Sequence, residues 1–193
     1  MSKSIDIVCC AALLCAAAAC AQSTTGLSSN LAGWRADTTD TQFAAQAMES
    51  NLAQVQLGQL AMQRGDREVR QVGRTMVADH SQLNSQLKPI AGEIGVAAPT
   101  RLSASDRALL ASLKAKSGEP FDDAYLQAVI DLNRAEVLGF GNEARIGKDQ
   151  ALKDAAASGA RVIGAHTLMV DQAAIHHHVA IPSPIDVPSA LQP

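Results

Sequence analysis

Aromatic side chains are scarce in this chain: phenylalanine, tyrosine and tryptophan make up 3% of 193 residues, although hydrophobic residues make up 47%. A core must therefore be built from alanine and aliphatic side chains, which suits closely packed helices better than a sandwich or barrel. Strict apolar–polar alternation is missing too, so no strand pattern competes with helix. Cysteine is missing after Cys20; all four (Cys9, Cys10, Cys15, Cys20) lie in the N-terminal segment. The remaining chain has no disulfide, thiolate ligand or thiol nucleophile. Charge of one sign is not in excess. A net charge of −3 gives no basis for a nucleic-acid partner. Apolar runs long enough to span a bilayer are also lacking, and the serines fall mainly at helix starts and in linkers, where they resemble no catalytic triad.

What is present begins with MSKSIDIVCCAALLCAAAACAQS. Lys3, offset by Asp6, precedes an apolar run of roughly a dozen residues, which fits a signal-peptide core and is too short for a membrane span. Ala19-Cys20-Ala21 before Gln22 satisfies the small-x-small rule for cleavage, so residues 1–21 are expected to be removed on export. The alternative is a lipid anchor at Cys20, although Ala17 is smaller than the aliphatic residue usual three places before an acylated cysteine. The expected location is the periplasm or, with the anchor, the outer membrane as a lipoprotein.

Residues 22–38 are polar and glycine-bearing and read as a linker that contains the single tryptophan, Trp34. Residues 178–193, with prolines at 182, 184, 188 and 193, read as an extended tail. Between them, residues 39–177 carry helix punctuation. Thr39-x-x-Gln42 is a capping box opening a helix over 39–64. Gly65-Asp66 stops it and caps the next, over 67–94. Ser103-x-x-Asp106 opens a short helix over 104–116, and Gly118-Glu119-Pro120 leads into one over 120–146. After Gly147 a last helix covers 149–177. The expected fold is all-α: an antiparallel four-helix bundle with one short extra helix. Glycines inside the helices (58, 73, 139, 141 and 164) make most sense where two backbones approach closely.

The apolar stripes are interrupted by polar residues. In the second helix Val69, Val72, Met76, Leu83, Leu87, Ile90 and Ile94 recur at threes and fours, and His80 fills the one gap of seven, with Asp79 at the stripe's edge. In the last helix His166 sits within Leu152, Ala155, Gly159, Val162, Met169 and Ala173. The 120–146 helix puts Glu136 and Glu143 beside Phe121, Tyr125, Leu132 and Gly139, and the first puts Gln54 among Phe43, Ala47, Leu57, Gly58 and Ala61. Burying an unpaired carboxylate or imidazole costs several kcal/mol, so these groups should meet one another, water or a cation. Histidine and carboxylate on facing helices form ligand sets for iron, manganese or zinc, which makes His80, Glu143, His166, Glu136 and Asp79 candidate metal ligands. The alternative is a hydrogen-bonded polar cluster without metal, favoured by the absence of a Glu-x-x-His pair: Val77 and Ile163 stand three residues before the histidines. His176-His177-His178 grips divalent metals only weakly and reads as incidental.

NLAQVQLGQLAMQ, VRQVGRTMVADHSQLNSQLKPIAGEIGVAAPT, SGEPFDDAYLQAVIDLNRAEVLGFGNEAR and AHTLM resemble domain-of-unknown-function family 4142, a bacterial exported family. The Met-Val-x-Asp-His-x-x-x-Asn and Gly-x-x-Phe-Asp-x-x-Tyr blocks make the resemblance specific, and it covers about residues 40–175. The resemblance implies a ferritin-like bundle of unestablished biochemical role. It also exposes departures: Gln54 stands where relatives typically have glutamate, and Asn133 where they often have histidine. His80, Glu143 and His166 remain at matching positions. The depleted ligand set lowers the expectation of oxidase or ferroxidase chemistry. The leading expectation is a non-enzymatic exported bundle acting in the cell envelope through contacts with an envelope protein partner or a surface; a metal-binding redox or storage protein is the competing one. A third is a pH-responsive bundle, since a buried histidine near carboxylates titrates close to neutrality.

Overall fold

A computed structural model of the chain describes residues 39–182. The signal segment expected at 1–21, the linker at 22–38 and most of the tail lie outside the described residues. The described residues form five helices: α1 Asp40–Arg64, α2 Arg67–Glu93, α3 Ala104–Lys114, α4 Glu119–Ile146 and α5 Gln150–His176. No strand occurs among them, and no described helix is long and apolar enough to cross a membrane. The protein is all-α, with boundaries within about two residues of those predicted.

Local chemistry sets these boundaries. Thr39 and Gln42 form the reciprocal capping box, with the Thr39 N–H donating to Gln42 Oε1 at 3.0 Å. Asp66 Oδ1 accepts the N–H groups of Glu68 and Val69 at 2.9 and 2.8 Å, and Asp149 accepts that of Leu152 at 2.8 Å. Gly118 turns into α4 with φ +60, a conformation that favours glycine, and Pro120 occupies the first turn. Pro89 falls in the last stretch of α2 on the exposed side, so the Ser85 carbonyl that loses its helical donor lies on the solvent-facing side.

Contacts between helices define their directions. Residues 51 and 58 of α1 meet 80 and 73 of α2, so the two run antiparallel. Residues 50 and 54 of α1 meet 136 and 133 of α4, again antiparallel. Residues 68 and 79 of α2 meet 176 and 166 of α5, and Phe140 of α4 lies against Gly159 of α5. The main contacts join α1 to α2 and α4 to α5, while α3 touches α1 and α4 within the connection from α2 to α4. Gly58 and Gly73 allow the closest approach: a Cβ on either would lie 2.7 Å from the other's carbonyl oxygen. Gly164, by contrast, faces open space.

The α5 stripe differs from the one predicted. Leu152, Gly159, His166 and Ala173 are buried as expected, but the row beside them is Ala156, Ile163 and Val170, whereas Ala155, Val162 and Met169 are only partly buried. Both rows keep a three–four spacing and both are apolar. The stronger packing of α5 against α4 than against α2 selects between them. Ile90 and Ile94 of α2 are likewise only partly buried, and Ala91 takes their place in the core.

Two apolar clusters fill the interior. One gathers Leu57, Val69, Met76, Phe121, Tyr125 and Val170; the other gathers Phe43, Met48, Leu83, Phe140, Leu152 and Ile163. Phe43 and Phe140 pack edge to face with centroids 5.1 Å apart. Polar side chains occupy the level between the clusters.

Candidate functional site

Between the clusters, α2 contributes His80, α5 His166, α1 Ser50, Asn51 and Gln54, and α4 Asn133 and Glu136. All but Ser50 are buried. Each lies on an inner face because its spacing from the flanking apolar residues is three or four.

Imidazoles dominate the α2/α5 half. His80 Nδ1 donates to Asn51 Oδ1 at 2.7 Å, and Asn51 Nδ2 donates to Asn84 Oδ1 at 3.3 Å. His166 Nε2 donates to Asp79 Oδ2 at 2.7 Å. The rings of His80 and His166 face each other with centroids 5.3 Å apart, tilted by 46°. Each ring therefore has one nitrogen fixed by an oxygen acceptor, while His80 Nε2 and His166 Nδ1 are buried without a protein partner. Burial, reinforced by His166, pushes the His80 pKa well below the usual imidazole range.

A single carboxyl anchors the α1/α4 half. Glu136 accepts from Ser50 Oγ through Oε1 and from Gln54 Nε2 through Oε2, the latter at 3.4 Å. Gln54 Nε2 also donates to Asn133 Oδ1 at 3.0 Å. Burial pushes the Glu136 pKa up to about 7, and Asp106 of α3 adds to the rise. Gln54 Oε1 and Asn133 Nδ2 are buried without a protein partner.

The candidate ligands thus fall into separate places. His80, His166 and Asp79 come together. Glu136 belongs to the other half of the layer, bonded to serine and amide. Glu143 lies about 10 Å further along α4, near Asp40, Asp149 and Lys153, where burial and the two aspartates push its pKa up to about 7. Among the described residues no three His, Asp or Glu side chains converge in a group able to hold a metal ion. At the far end of α5, His176 Nδ1 meets Glu68 Oε1 at 2.9 Å, and His177 sits between Asp66 and Asp123 at 3.5 and 3.6 Å.

Sequence reasoning missed Ser50 and Asn51 as site residues. The α1 stripe jumps from Ala47 to Gln54, and only positions 50 and 51 fill that gap at helical spacing. Asn84, four residues after His80, carries the same signal on α2.

An all-α protein with a polar layer of paired imidazoles and amides across its core is the class that fold and site define. Residues 27–173 match the family described as domain of unknown function (DUF4142), and the chain belongs to it. No curated protein and no solved structure matches it.

Proposed function

We propose that the protein is an exported, non-enzymatic ferritin-like four-helix bundle that acts in the cell envelope by binding a protein partner through its outer faces. The pairs α1/α2 and α4/α5, joined by one long crossover that carries α3, support the ferritin-like reading. The signal-like segment at 1–21 supports export to the periplasm or, through Cys20, to the outer membrane. The observation that carries the non-enzymatic reading is the α1/α4 half of the layer. There Gln54 and Asn133 bond to each other and Gln54 bonds Glu136, so amides and a protonatable carboxyl close the space structurally. Cross-linking in intact envelopes, followed by mass spectrometry, should recover a defined partner. A protein that stays monomeric and recovers none counts against this reading.

A second reading rests on the two unpartnered imidazole nitrogens. Metal-binding histidines typically have their other nitrogen held by a carboxylate or carbonyl oxygen, as Asp79 and Asn51 do here. The residues do not fit a dinuclear iron or manganese centre, which takes several carboxylates. His80 Nε2 and His166 Nδ1 are two of the four ligands that a tetrahedral zinc ion takes, so a zinc held there would draw its remaining ligands from water and would supply a Lewis acid or a storage site. Metal analysis of untagged, natively exported protein should be compared with His80→Ala/His166→Ala, which leaves the weak histidine run at 176–178 in both samples. Metal lost in the double variant supports this reading. Equal metal in the two samples removes it.

A further inference from the structure

One carboxylate fastens the turn between α4 and α5 to the start of α1. Asp40 Oδ2 accepts the Asp149 N–H at 2.6 Å, and its two oxygens lie 3.1 and 3.2 Å from the Lys148 nitrogen, whose N–H they accept. The turn belongs to the α4/α5 pair and Asp40 to the α1/α2 pair, so this contact ties the two pairs together at that end of the bundle. Burial alone would raise the Asp40 pKa, but the N–H groups of Lys148 and Asp149 outweigh it and hold that pKa below the usual carboxylate range. Asp149 is engaged as well, since its own carboxylate accepts the Leu152 N–H at 2.8 Å.

Glu143 is the third carboxyl at this place. It stands in the last turn of α4, only 2% exposed, and its Oε1 is buried without a protein partner. Its backbone carbonyl accepts the Gly147 N–H at 2.9 Å, and its side chain folds under the same glycine: a Cβ on Gly147 would run into Glu143 Oε1. Gly147 has φ −54, which any residue adopts, so the carboxyl rather than the backbone conformation calls for glycine there.

This pocket opposes a negative charge. Burial comes first, then Asp40 of α1 and Asp149 at the start of α5; Lys153 of α5 works the other way, and the balance pushes the Glu143 pKa up to about 7. Lys148, in the turn itself, acts on Asp40. Among the described residues no charge of α2 or α3 acts on Glu143. The free carbonyls at the end of α4 disfavour an anion there as well.

We infer that Glu143 is a proton-operated clasp on the α4–α5 turn: protonated, it lies neutral under Gly147 and lets Asp40 hold the two helix pairs together; ionised, it drives the turn and Asp40 apart. The proton leaves to water, and the carboxylate reaches solvent as the turn lifts. Phe43 against Phe140, about one turn further in, confines the opening to this end. An acid with a raised folded pKa stabilises fully below its ordinary value near 4.5, and that contribution is lost as pH rises toward and past about 7. The clasp is therefore tightest in mildly acidic conditions and loosest above neutrality. Neither reading of the polar layer is needed for it, because Glu136 lies about two turns away along α4.

The test is amide hydrogen exchange by NMR at Lys148 and Asp149 in the natively exported protein, with each rate divided into the intrinsic rate at the same pH. Protection at both amides should fall about tenfold between pH 6 and pH 8. Glu143→Gln keeps the shape without the ionisation and should abolish the fall, whereas Glu136→Gln should leave it in place. Protection that is equal at the two pH values overturns the inference. So does a fall that persists in Glu143→Gln, and a fall that disappears in Glu136→Gln assigns the effect to the polar layer instead. The Glu143 side-chain carboxyl carbon, followed in the unsubstituted protein, decides even where the variant does not fold. A midpoint near 7, shared by the Asp149 amide shift, supports the clasp, and one near 4.5 overturns it.

Discussion

The two halves of the polar layer lie at one level of the core, yet they are expected to respond to pH with opposite signs. On the α2/α5 side, burial drives His80 toward its neutral form. On the α1/α4 side, burial drives Glu136 toward its neutral form too, with its pKa pushed up to about 7. The physical cause is shared, since a low-dielectric interior disfavours charge. A base responds by releasing its proton and an acid by keeping one. A base with a lowered folded pKa keeps full stability above its unfolded value near 6.5 and loses it as pH falls below that value. An acid with a raised folded pKa keeps full stability below its unfolded value near 4.5 and loses it as pH rises toward and past about 7. Between those unfolded values the two slopes oppose each other, and a flat profile for the whole layer would conceal both.

The largest effect should come from breaking the imidazole half. His80→Ala removes a fully buried ring, leaves Asn51 Oδ1 without its donor and opens a cavity beside His166. A loss of about 2–4 kcal/mol is expected in urea unfolding at neutral pH. A loss under about 1 kcal/mol would mean that the surrounding helices collapse onto the space.

Glu136→Gln sharpens the comparison from the other side, because it keeps the shape and removes the ionisation. At about pH 8 the variant should exceed the wild type by up to about 3 kcal/mol, and near pH 4 the difference should vanish. Thermal melts across that range check this. A variant that is equally displaced at both ends would show that the hydrogen bonds of the carboxyl, rather than its titration, dominate.

Asp79→Asn is expected to cost less, about 1 kcal/mol, because the Asp79 side chain is 37% exposed and water can replace part of its bond to His166. The smallest effect should belong to His176→Ala at the exposed end of α5, where the pair with Glu68 lies in solvent: under about 0.5 kcal/mol by chemical unfolding. The bonds to Asp79 and Glu68 are 2.7 and 2.9 Å long, so any difference in cost must come from burial rather than geometry.

Much of the fold was legible in the residues. Thr39, Asp66 and Ser103 mark helix starts through side chains that bond the next free N–H groups, and that chemistry is local. His80 and His166 were legible as inward-facing because each replaces one apolar residue in a regular stripe. What they meet was less legible. Glu143 shares a face of α4 with Glu136, yet it lies near Asp40 and Asp149, while Asn51, in the gap between Ala47 and Gln54 of the α1 stripe, supplies the oxygen for His80. The α5 stripe was ambiguous for a similar reason: Val162 and Ile163, and Met169 and Val170, are equally apolar neighbours, so periodicity alone does not choose between them.

The sequence by itself determined the all-α class, the helix boundaries and the angular position of each histidine, because capping and a 3.6-residue period act within one segment. Only the tertiary structure decided that His80 is bonded to Asn51 and faces His166, that Glu136 is held by Ser50 and Gln54, and that Glu143 stands apart. Those pairings depend on how far each helix slides along its neighbours, and that translation is set by contacts such as Gly58 against Gly73 and Phe140 against Gly159. Such contacts join residues distant in sequence, and no periodicity within a single helix records them.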